Sequence, residues 1–87
     1  MKNSTSHSDQ VFKVAALYHF AVIEDPTALK PQILEQADSC GLKGTILLAK
    51  EGINGTIAGT VDGIDSMISY LRSIPQFSKL EVKYSEA

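Results

Sequence analysis

One short stretch concentrates groups able to meet a ligand: Lys50-Glu51-Gly52-Ile53-Asn54-Gly55. Gly52 and Gly55 can take backbone conformations that other residues avoid, and they let a main chain approach a ligand closely. Asn54 offers both a donor and an acceptor, toward a base, a phosphate or its own backbone. Lys50 can neutralise a phosphate, and Glu51 adds a carboxylate. The same residue types also build an ordinary hairpin turn with Ile53 packed, so both readings stay open. His19 is a further binding candidate. It has no Cys or Ser partner nearby in sequence, so nothing marks it as a catalytic base. Tyr18 and Phe20 are able to stack on bases, but strand alternation sends one parity toward the helices, and core packing is the expectation for both. Tyr84 is read the same way. Lys13, Lys43, Lys79, Lys83 and Arg72 read as scattered surface charge. No catalytic residue stands out. Cys40 falls on a helical apolar stripe and reads as core or helix end.

These groups need elements to hold them. Val11 to Phe20 is a strand with apolar residues on both parities. Asp25 caps a helix and Pro26 suits its first position. Leu29, Ile33, Ala37 and Cys40 then form one stripe, and Gly41 closes the helix. Pro31 must lie in the first turn or two. Lys43 to Ala49 is a second strand, Lys50 to Ile53 a turn, and Asn54 to Gly59 a third strand paired with it as a hairpin. Asp62 and Asp65 mark the start of a second helix carrying Ile64, Met67, Ile68 and Leu71. Pro75 ends it. Leu80, Val82 and Tyr84 alternate with Glu81 and Lys83 in a fourth strand.

Strand, helix, strand, strand, helix, strand, with right-handed crossovers, gives an α+β fold. It is a ferredoxin-like, acylphosphatase-like βαββαβ sandwich, with a four-stranded antiparallel sheet and two helices on one face. The expected strand order is 4-1-3-2. The other sheet face is bare and, with apolar residues on both parities, reads as a docking face.

Bulk properties narrow the function. With 87 residues the chain holds one small domain: a flexible tail over 1–10 and the folded domain over 11–87. No apolar run reaches the roughly 20 residues of a membrane span, and the polar start lacks a signal peptide's apolar core. A cytoplasmic location and no membrane partner follow. One cysteine and two histidines make neither a disulfide nor a metal set, and no cofactor is implied. The net charge of −2 argues against strong autonomous RNA binding.

The segment Gly44 to Gly59 resembles the "LA-x-EGINGT-x-AG" hairpin of the rhodanese-related tRNA uridine 5-hydroxylase (TrhO/YceA-like) family. Tyr18-His19-Phe20 with Asp25-Pro26, and Lys83-Tyr84-Ser85, resemble that family's first strand and helix start and its fourth-strand exit. The likeness spans residues 14 to 86. It implies an N-terminal domain of a tRNA-modifying oxidoreductase that hydroxylates the wobble uridine with oxygen. tRNA and a downstream rhodanese domain are the implied partners. The catalytic cysteine belongs to that second domain, which is absent from these 87 residues, so the segment alone is expected to be inactive. Lys50, Glu51, Gly52, Asn54, Gly55 and His19 are its candidate contacts with RNA or the rhodanese domain. His19 stands where the family carries a basic residue.

Two other readings remain. An acylphosphatase-type hydrolase needs a Gly- and Arg-bearing phosphate loop after the first strand. Ala21 to Asp25 has neither, and it carries two acids. A stand-alone ligand-binding or regulatory module is open to any domain of this fold.

Overall fold

The computed structural model describes residues 12–86, so the expected tail over 1–10, and Val11 and Ala87, lie outside the described residues. The elements are β1 (Phe12–Phe20), α1 (Pro26–Ser39), β2 (Lys43–Ala49), β3 (Gly52–Thr60), α2 (Val61–Arg72), a 3-10 turn at Pro75–Phe77 and β4 (Glu81–Glu86). The sheet order is β2-β3-β1-β4, with every neighbouring pair antiparallel. This is the expected ferredoxin-like order.

Local chemistry accounts for the helix ends. The Asp25 carboxylate accepts from the Ala28 amide at 3.2 Å and caps α1, with Pro26 in its first turn. Pro31 falls in the second turn. The Thr60 hydroxyl, not an aspartate, caps α2 by accepting from Gly63 N at 3.0 Å. β3 therefore runs into α2 with no intervening loop. Asp62 sits in the first turn, where the helix dipole favours it. Asp65 instead pairs with Lys13.

Alternation sorts each strand. Ala15 and Leu17 of β1, Ile46 of β2, and Ile53 and Ile57 of β3 point to one face. There they meet Ile33 of α1 and Ile64, Met67, Ile68 and Leu71 of α2, with Phe77 and Leu80 closing one end. All belong to one core, so both helices cover the same side of the sheet.

Two expectations are corrected here. Tyr18 and Phe20 take the opposite parity to Ala15 and Leu17, and they are 52% and 71% exposed on the bare face. Tyr84 is also exposed, beneath the Lys13 ammonium, which lies 4.1 Å from its ring centroid. The turn between β2 and β3 is only Lys50-Glu51. Gly52 and Ile53 belong to β3, with Ala49 opposite Gly52, and both are buried. The turn is thus Lys50-Glu51 rather than Lys50 to Ile53.

Candidate functional site

The bare face is laid out by the pairing register. Leu47, Asn54, Tyr18 and Glu81 form one row across β2, β3, β1 and β4. Thr45, Thr56, Ala16 and Lys83 form the next row. Toward the hairpin the face ends on Ala49, Gly52 and Phe20. Leu47 is 55% exposed, so large apolar side chains face outward at this end. The Tyr18 and Phe20 rings meet edge to face, 5.1 Å between centroids at 68°.

Tyr18, Phe20, Leu47, Ala49 and Asn54 border a depression of about 160 Å³ at the hairpin end. Glu51 lines it too, with His19, Leu48 and Ile53 from the core-side parity and Lys30 from α1, so it takes in both sides of the sheet at the hairpin end. Sequence reasoning missed Lys30, because only the folded approach of α1 to the β2 edge brings it here. Ligand pockets for drug-sized molecules span roughly 300–1,000 Å³. This depression therefore suits one planar ring better than a whole cofactor.

The hairpin tip is held from behind. Ala21 N donates to Glu51 O at 3.0 Å and Ile23 N to Lys50 O at 2.9 Å. The Lys50 and Glu51 side chains remain exposed while their carbonyls are engaged.

The expected site residues separate into groups. Glu51 and Asn54 share the depression, and Lys50 adjoins it at the tip. Gly52 and Gly55 serve backbone approach. Gly52 has φ 152°, and a Cβ there would overlap the His19 carbonyl oxygen. A Cβ on Gly55 would overlap the Thr45 carbonyl oxygen and lie 2.9 Å from Ile46 Cα. His19 has the parity of Leu17 and turns toward the helix side. There its ring packs edge-on to Phe77 at 6.5 Å. Its ring is thus turned to the opposite face from Asn54, although His19 also lines the hairpin-end depression.

The β1–α1 loop lines a larger groove, about 470 Å³, between Val22 and Gln76. Its charged members are Glu24 and Asp25. The α1 amide at Ala28 is already taken by the Asp25 carboxylate. The Thr27 hydroxyl and that amide hold the Asp25 carboxyl below its usual pKa. An anionic acyl phosphate would meet negative charge here, so acylphosphatase chemistry finds no cradle in this loop.

Among the described residues no group of His, Cys, Asp and Glu could hold a metal ion. Cys40 is half-buried, with Gln36 Nε2 at 3.7 Å from its sulfur. No described helix is long and apolar enough to cross a membrane.

The profile of the UPF0176 acylphosphatase-like domain matches residues 12–87. Proteins named tRNA uridine(34) hydroxylase are similar along the chain. The one from Gluconobacter oxydans is 45% identical over 82 residues, covering 94% of this chain and 26% of that protein. The one from Agrobacterium fabrum is 51% identical over 76 residues, covering 87% and 24%. The one from Rhizobium leguminosarum bv. trifolii is 50% identical over 90 residues, covering 100% and 28%. The chain spans about a quarter of the length of these relatives.

Proposed function

The chain belongs to the UPF0176 family, as its N-terminal acylphosphatase-like domain, and from that membership we propose that it is the accessory domain of a protein that hydroxylates uridine 34 of tRNA. Its part is to engage tRNA and to dock against a rhodanese domain that carries the chemistry. The supporting observation is the bare sheet face. It presents aromatic rings, a carboxamide and rim cations, and no nucleophile-and-base pair or metal set. Such a face binds and positions. A cytoplasmic location belongs to the same reading, because tRNA is there.

The two tasks fall at opposite ends of the sheet. Phe12, Val61 and Tyr84 are exposed together around a depression beside Ser85 and Glu86. That patch lies where the chain leaves β4, and we assign it to the domain contact. The hairpin end faces away from it and is left for RNA.

The test uses the 87-residue chain and unmodified tRNA. Expected are salt-sensitive tRNA binding and no 5-hydroxyuridine product. Hydroxylation by this chain alone would overturn the division of roles. Absence of tRNA binding even at low salt would overturn the engagement role.

A further inference from the structure

We infer that the hairpin end of the bare face is a stacking platform for one unpaired nucleobase of single-stranded RNA. The inference rests on the proposed tRNA engagement and sharpens it to a residue-level mode. Tyr18 and Phe20 are the platform. They meet edge to face and are both largely exposed, so ring surface is open to a ligand. A base offers a π-face whatever its sequence, so such a platform takes any unstacked base. Duplex RNA hides those faces inside its own stack.

The neighbours fit the same ligand. Asn54 lies opposite Tyr18 in the register, between Tyr18 and Leu47. Its exposed carboxamide can donate to and accept from a base edge. Lys83 lies opposite Ala16, one row from Tyr18 on the same face. Diagonal neighbours of this kind are about 7–8 Å apart, within reach of a phosphate flanking the stacked base. Lys30, from α1 on the covered side, lines the same hairpin-end depression and adds a second cation past the end of the sheet. Glu51 at the rim and Glu81 beside Tyr18 are carboxylates. They disfavour a phosphate directly over the ring and can accept from base or ribose donors. Charge is thus arranged around the rings rather than spread over the face, which accounts for an RNA contact on a domain of net charge −2.

The test compares a short unpaired ribo-oligonucleotide carrying a central 2-aminopurine with the same strand in a duplex. Binding to the 87-residue chain is read by anisotropy, and stacking by quenching of the fluorescent base. Single-strand binding with quenching is expected, and the duplex should not compete. Tyr18→Leu keeps apolar bulk but loses the ring. It should weaken binding about tenfold or more and abolish quenching, while Tyr18→Phe retains both. Lys30→Glu should weaken binding and flatten its salt dependence, with quenching kept at saturation. Circular dichroism confirms that each variant folds. Equal binding of duplex, or an unchanged Tyr18→Leu, overturns the platform. If Tyr18→Leu also leaves whole-tRNA binding unchanged, the proposed function stands and RNA lies elsewhere. If no RNA binds, both fall, and the face is a protein-docking surface.

Discussion

Gly52→Ala separates what the hairpin needs for folding from what it offers to a ligand. At φ 152° an alanine is strained by about 1–3 kcal/mol. Its Cβ would also overlap the His19 carbonyl oxygen and approach Phe20 Cα to 3.1 Å. Both neighbours are backbone of β1, held in place by the Ala21–Glu51 hydrogen bond, so no side chain can swing aside. Relief requires β1 and β3 to part at Phe20–Gly52. A lost hydrogen bond there adds about 1 kcal/mol. The sum is about 2–4 kcal/mol. A chain of 87 residues has a total stability of roughly 4–13 kcal/mol. The melting temperature should therefore fall by on the order of 10–30 °C. Urea denaturation followed by far-UV circular dichroism measures the loss. Asn54→Ala is the control, since Asn54 is exposed on the same strand and should change stability by less than about 0.5 kcal/mol. A Gly52→Ala variant as stable as the native chain would refute the steric argument. So would an Asn54→Ala variant equally destabilised.

Other outcomes follow from the same contacts. Thr60→Ala removes the hydroxyl that caps α2 and should cost about 1 kcal/mol in urea denaturation. Lys13→Met breaks a 3.2 Å ion pair with Asp65 and the contact over Tyr84. With Asp65 mostly exposed, the loss should stay below about 1 kcal/mol and shrink as salt is raised. Asp25 has a folded pKa below its unfolded value, because its carboxylate accepts from the Thr27 hydroxyl and the Ala28 amide. Such a group stabilises the fold above the unfolded pKa and loses that contribution as the pH falls through the folded one. Urea midpoints should therefore drop below about pH 4, and Asp25→Asn, which keeps a capping oxygen, should flatten that drop.

The order of elements and of strands was legible in the sequence, because periodicity, caps and crossover rules agree. Boundaries failed where two signals share residues. Gly52 reads as turn by composition, yet its missing side chain is what lets β3 begin there against His19. Ile53 reads as turn by position, yet it alternates with Ile57 on the core face. The facing of β1 was not legible, since both parities are apolar and Tyr18 and Phe20 outweigh Ala15 and Leu17. Only the register with β3 and the covering helices decides it. Within the candidate site, Asn54 and Glu51 were found from the hairpin motif. Lys30 was not, because its place depends on tertiary approach. His19 was grouped with them because it stands where the resembled family carries a basic residue; alternation turns its ring to the other face, although it still lines the end of the depression.

The position of β4 has a consequence for synthesis. Among the described elements β1 is made first but is an interior strand, and its second partner is the last of them, pairing Tyr18 with Glu81 and Lys13 with Glu86. Translation runs at about 5–20 residues per second, so β1 waits roughly 3–13 s for that partner. Meanwhile β2 and β3 can zip locally through their two-residue turn, and β1 can join β3. The nascent sheet then carries an open edge along Lys13 to Tyr18 until β4 arrives. Cutting the chain before Glu81 would make that transient edge permanent, leaving Ala15 and Leu17 without their neighbours Tyr84 and Val82. Such a fragment would retain nearly all of the helical core and still be sticky along one strand.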